Sequence, residues 1–129
     1  MPSISVKMPY IANLTVNGCW RKGKQGQIYL RPEVATWRTI LASTIHTGLD
    51  GSMLSGPLTV RIDWQGPQQP DMGNDSKVIW DAIQMATLIN DREYVAEPGS
   101  YQRRPAREAE ITVTISWGDD ALRAVGARE

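Results

Sequence analysis

Apolar residues alternate with polar ones at Ile4, Val6 and Met8, which predicts a first strand with one buried face. From Pro9 to Gly26 the pattern lapses into Asn, Gly and basic residues and reads as a long loop, after which Gln27-Ile-Tyr-Leu30 forms a short strand. Val34, Trp37, Ile40, Leu41 and Ile45 recur at helical spacing behind Pro32, a residue suited to a first helical turn. A helix is therefore predicted over 32–47, with Gly48 and Gly51 ending it and opening a turn. Leu58, Val60, Ile62 and Trp64 alternate again and predict a strand over 57–64, followed by a Gly/Pro/Gln loop to Pro70. A second helix, from about Asn74 to Leu88, carries the stripe Val78, Ile79, Ala82, Ile83, Met85 and Ala86. Asn90-Asp91 breaks it ahead of a short strand near Tyr94-Val95. Residues 98–109 read as irregular and basic, Ile111, Val113, Ile115 and Trp117 alternate as a last strand, and 118–129 reads as a short polar tail or frayed helix. The expected fold is α+β, a small mixed or antiparallel sheet packed with two main helices in a single domain over 1–117.

Composition changes this picture little. A chain of 129 residues with 41% hydrophobic content can bury a core without metal or disulfide support, and its absence of phenylalanine leaves five tryptophans to do much of the aromatic packing. The single cysteine, Cys19, forbids an internal disulfide and fits a reducing compartment. With no apolar leader or membrane-length window at hand, a cytoplasmic location is expected.

Charge distribution says more than the net charge of zero. Residues 1–40 hold Lys7, Arg21, Lys22, Lys24, Arg31 and Arg38 against the lone acid Glu33, so the excess of acid lies in the remainder. A basic half beside an acidic site is compatible with a metal-dependent nuclease, since bound cations would offset the acids.

Those acids gather around the second predicted helix. Asp71 precedes it, Asp75 falls in its first turn, Lys77 and Asp81 stand four apart on one face, and Asp91 lies just past its end. Magnesium prefers oxygen ligands and typically takes one or two carboxylates plus substrate phosphate, so two or three of these aspartates would suffice. Asp91 would reach Asp71 within one chain only if the backbone folds back along the helix; a dimer is the other route. The same residues also have an ordinary reading, with Asn74 as an N-cap, Asp75 favoured by the helix dipole, Lys77–Asp81 as a surface pair and Asn90-Asp91 as a turn.

The run Pro70-Asp71-Met-Gly-Asn74-Asp-Ser-Lys77-Val-Ile-Trp80-Asp81-Ala-Ile, with Leu88-Ile-Asn-Asp91-Arg-Glu-Tyr-Val95, resembles the RusA family of Holliday-junction resolvases. Its signature is approximately D-x-D-N-x-x-K-x-x-x-D-A-L, followed by D-D before a short strand. Asn17, Trp20-Arg21 and the helix containing Trp37 are similar to the family's opening, so the likeness extends over most of 3–117. The resemblance implies a homodimeric, Mg²⁺-dependent endonuclease that cuts four-way DNA junctions, of a kind often encoded by phages or prophages. It further implies catalytic roles for Asp71, Lys77 and Asp91, metal ligation by Asp71 and Asp91, and a DNA-facing role for Asn74; Asp75, in the first turn of the helix, is the candidate third ligand. Asn17, Arg21, Lys22, Lys24, Arg103 and Arg104 are candidate DNA contacts, being polar or basic residues in predicted loops.

Two departures from the signature stand out. Gly73 occupies the place of the second aspartate of D-x-D, and Asn90 replaces the first of D-D. Asp75 or Glu93 could supply the missing oxygen. Two rival expectations follow: a homologue that binds junctions without cutting them, and a structural protein of a mobile element that has kept only the fold.

Overall fold

The computed structural model describes residues 2–11, 20–26, 28–68, 77–118 and 122–124. The long strands form where alternation predicted them: β1 (Ser3–Pro9), β5 (Leu58–Gly66) and β8 (Glu110–Ser116). They lie side by side, β8 in the middle and antiparallel to both neighbours. The register lines their apolar residues into rows: Met8–Ile111–Trp64, Val6–Val113–Ile62 and Ile4–Ile115–Val60. Because side chains alternate across a strand, one face of the sheet is a continuous apolar floor. The other face carries Ser5, Lys7, Thr59, Arg61, Asp63, Thr112 and Thr114, with the Ser5 and Thr114 hydroxyls bonded at 2.9 Å.

Two helices contribute to the same core as that floor. α1 (Pro32–Gly48) begins at Pro32 as predicted, and its backbone leaves the helix through Leu49, Asp50 at φ 50° and Gly51 at φ 78°. It buries Val34, Trp37, Leu41, Ala42 and Ile45. Ile40 does not share that stripe and is 50% exposed; at 100° per residue it falls roughly 120° round from the stripe's centre. The Trp37 indole donates to the Pro9 carbonyl at 2.7 Å, tying α1 to the end of β1. α2 (Lys77–Thr87) buries Val78, Ile79, Ala82 and Ile83. Met85, expected in the stripe, sits at its margin and is 46% exposed. The proposed helix start at Asn74 lies outside the described residues, and the helix ends at Thr87, one residue short of the predicted Leu88.

The sheet is mixed because its fourth position is filled by two short strands, β6 (Tyr94–Glu97) and β7 (Tyr101–Arg103), each parallel to β5. β7 lies where an irregular segment was expected; three residues carry too little periodicity to be read from sequence. The break between the two strands is built, not slack. Ser100 donates to Asp63 Oδ1 through its amide and its hydroxyl, each at 2.9 Å, and accepts from the Trp64 amide at 2.8 Å. Arg61 Nε donates to both Asp63 oxygens. Burial alone would raise the Asp63 carboxyl, but the Ser100 hydroxyl and amide and the Arg61 guanidinium outweigh it and hold the group below the usual carboxylate value.

Other short strands also depart from expectation. β2 (Trp20–Lys22) pairs with β3 (Ile28–Leu30) through a turn containing Gly26 at φ 85°, so the predicted loop over 9–26 includes a strand. β4 (Ser52–Leu54) pairs with β9 (Leu122–Ala124), which puts a strand in the segment expected to be a tail or frayed helix. Among the described residues no helix is long and apolar enough to cross a membrane.

Candidate functional site

The end of α2 decides how the acidic residues meet. Leu88 adopts a left-handed conformation, φ 63°, while its amide still donates to the Gln84 carbonyl at 2.8 Å. This closes the helix as a C-terminal αL cap does, though with a leucine in place of the usual glycine. Such a conformation costs a non-glycine residue of order 1 kcal/mol or more, and Leu88 is also 79% exposed. The reversal is followed by Asn90, whose side-chain oxygen accepts from the Arg92 amide at 3.0 Å and caps the single 3₁₀ turn Asp91–Glu93. Asn90, which departs from the D-D pair, thus retains a structural job that an aspartate could also do. The chain then enters β6, with Tyr94 opposite Leu58 at the start of β5.

Tyr94 is the hub of this corner. Its ring packs on Trp80 of α2 with centroids 5.6 Å apart, and its hydroxyl donates to the Ile89 carbonyl at 2.8 Å. Burial pushes the Tyr94 phenol up to about 12; the Asp91 and Asp81 carboxylates add to the shift, and the Thr87 hydroxyl opposes it. Asp81, from the middle of α2, and Asp91, from beyond its end, therefore act on one phenol. Asp71, the residue that a fold-back along the helix would have to bring to Asp91, lies outside the described residues. Sequence reading took Tyr94 only as part of a short strand. The hint that it does more was its place four residues after Asn90, beside a motif that contains Trp80.

A raised phenol pKa makes alkaline stability sensitive to this residue. Below pH 10 the phenol is protonated in both folded and unfolded chains; between about 10 and about 12 the unfolded chain loses the proton first and folding weakens. Tyr94→Phe should be less stable than the wild type at pH 8, because the bond to Ile89 is lost. The gap should narrow as pH passes 10, measured as urea midpoints at both pH values. A gap that stays constant to pH 12 would show that the phenol does not titrate late.

Lys77 and Asp81 meet as the spacing predicted, Nζ to Oδ1 at 2.8 Å, with both side chains partly exposed. The Asp91 carboxylate is exposed and makes no hydrogen bond or ion pair among the described residues. Asp71, Asn74 and Asp75 lie outside the described residues, as does Asn17. Among the described residues no three acidic, histidine or cysteine side chains lie close enough to hold a metal ion. A set of three such side chains would have to include one from outside the described residues.

The candidate DNA contacts fall on two short structures. Arg21 and Lys22 belong to β2, and Lys24 stands exposed in the turn that joins it to β3. Arg103 ends β7, and Arg104 follows it, paired at 3.8 Å with Glu108 in the short 3₁₀ turn Ala106–Glu108. Arg107 approaches the same carboxylate at 3.6 Å. The loops expected to carry these residues are thus partly ordered into strands and a turn.

A mixed sheet packed with two helices, the second of which carries the Lys77–Asp81 pair, defines the structural class. The chain belongs to the RusA endodeoxyribonuclease family, whose model matches residues 9–116. Every candidate site residue lies inside that span, whereas β9 lies beyond it. No curated protein matches the chain.

Proposed function

We propose that the protein is a Mg²⁺-dependent endonuclease that resolves four-way DNA junctions as a homodimer, in recombination or repair. The family match over 9–116 carries this reading. The Lys77–Asp81 pair at 2.8 Å supports it, because it holds the motif's cation on the helix that follows Asp71 and precedes Asp91.

The donor chemistry fits a hard cation. Asp71, Asp75 and Asp91 offer only oxygen, and Asp91 has a carboxylate with no competing partner among the described residues. Glu93, in the same 3₁₀ turn as Asp91, is the alternative to Asp75 as source of the oxygen that Gly73 cannot give. Bound Mg²⁺ would polarise the scissile phosphate and lower the pKa of an attacking water. The chain's own groups do the rest. Lys77, kept in place by Asp81, would present positive charge where negative charge builds up on the phosphate oxygens. Asn74 would donate to a phosphate, and Lys22, Lys24, Arg103 and Arg104 would hold the backbone of the arms. Two copies are needed for symmetric cuts in opposing strands, one site to each.

The test is cleavage of a synthetic four-way junction. Wild-type protein should nick it symmetrically with Mg²⁺ and not in EDTA. Asp71→Asn should abolish cleavage and leave binding intact or tighter, because a carboxylate that repels phosphate is gone. Retained cleavage in that variant removes Asp71 from the machinery. A wild type that binds junctions with a steep salt dependence yet never cuts them establishes the binding-only reading, which Gly73 favours; absence of salt-dependent binding leaves only a shared fold.

A further inference from the structure

A cavity of about 330 Å³ opens at the C-terminal end of β5, away from the acidic corner. Its walls are Tyr10, Trp64, Gln65, Gln68, Ala106 and Ala109. We propose that it receives one unpaired nucleobase of the bound DNA; the inference rests on the DNA-cleaving reading and adds a subsite to it.

Shape and surface chemistry argue for a flat aromatic guest. Tyr10 and Trp64 meet edge to face, centroids 5.7 Å apart at 83°, so the cavity wall offers aromatic surface from two directions. The remaining wall is small: Ala106 and Ala109 leave space where larger residues would fill it. Trp64 also has an indole Nε1–H with no acceptor, an unusual state for a buried donor. The site is held open by its own hydrogen bonds. Gln65 Nε2 donates to the Glu108 carbonyl at 2.9 Å, fixing the 3₁₀ turn that carries Ala106. Tyr101 Oη and the Arg104 amide both donate to the Gly66 carbonyl, at 2.7 and 2.9 Å, and fix the strand end beneath it. A pocket already formed does not have to be ordered when a ligand arrives.

Charge around the cavity argues for a nucleotide. Arg103, Arg104 and Arg107 flank the segment that bears Ala106, and of the acids only Glu108 pairs with them there, at 3.8 and 3.6 Å. An aromatic slot on a segment flanked by arginines suits a base with its phosphate, because stacking and phosphate contact are then satisfied by one ligand. Branch points are where bases lose a stacking neighbour, so a pocket for one base would favour branched over fully paired DNA.

The test compares binding, in EDTA, to three duplexes: fully paired, with a single-base bulge, and with an abasic residue at the bulge. Wild-type protein should bind the base-containing bulge at least about fivefold tighter than the abasic one, the weaker end of one base stacked on an aromatic ring. Ala106→Trp, at an exposed position outside both sheet and helices, should fill the cavity and abolish that preference, with affinity for paired duplex unchanged. Ala106→Ser should keep it. Duplex binding without any preference for the base, as would be found if the cavity served a protein partner, overturns the inference and leaves the nuclease reading standing. A preference that survives Ala106→Trp also overturns it. Loss of all DNA binding in the wild type overturns both.

Discussion

Asp91→Asn is expected to lower metal-dependent cleavage of a four-way junction by at least about a hundredfold, with junction binding unchanged or tighter. Asparagine keeps the size of the side chain and one of its oxygens but removes the charge that would hold a divalent cation. Stability should be nearly unaffected, because the Asp91 carboxylate is exposed and bonds to nothing among the described residues. The 3₁₀ turn is capped by Asn90 from outside it. The contrasting substitution is Asp81→Asn, which removes the partner of Lys77 at 2.8 Å. It should lower cleavage by a smaller factor, since Lys77 keeps its charge and loses only its anchor. Initial rates at saturating Mg²⁺ over a range of junction concentrations would separate the two variants. If Asp91→Asn cleaves as fast as the wild type, Asp91 is no ligand and Glu93 is the next residue to replace.

Gly99→Ala is expected to be the most damaging single methyl in the molecule, costing about 3 kcal/mol or more of folding stability. A Cβ at position 99 would overlap the Ile62 carbonyl oxygen and press on the carbonyl carbon, and both are backbone atoms of a central strand. They cannot swing aside as a side-chain tip could, so β6 and β7 would have to draw away from β5. Asp63→Ala attacks the same junction from the other side by removing the acceptor of both Ser100 bonds. It should cost less, since no atoms collide. Urea unfolding of both variants gives the ranking; a Gly99→Ala protein within 1 kcal/mol of the wild type would mean that the break shifts freely.

The elements read most fully from sequence are those long enough to show a period, although the short β3 and β6 are also legible, between turn and loop residues. β1, β5 and β8 display three or more apolar residues on alternate positions, and α1 and the described part of α2 carry stripes that outlast two turns. β2, β4, β7 and β9 are three residues each, too short for any alternation to emerge, and their pairing depends on partners elsewhere in the chain. Register explains why the site was only partly visible. Lys77–Asp81 is local to one helix and follows from spacing. The path the chain takes to Asp91 depends on Leu88 turning left-handed, which leucine's own preferences would never indicate. The aromatic cavity was hidden for the same reason, because Tyr10 and Trp64 are more than fifty residues apart and meet only once β8 has paired with both their strands.

The interruption between β6 and β7 also bears on the company the sheet keeps. An outer strand with a long straight backbone is a template on which another extended chain can hydrogen-bond, and that is how many sheets begin to aggregate. Here the outer edge is divided into runs of four and three residues, with Pro98 and Gly99 between them and Glu97 and Arg103 at their ends. Neither run is long enough to nucleate a ladder. The break that Ser100 ties to β5 thus also keeps the outer edge from pairing with other chains.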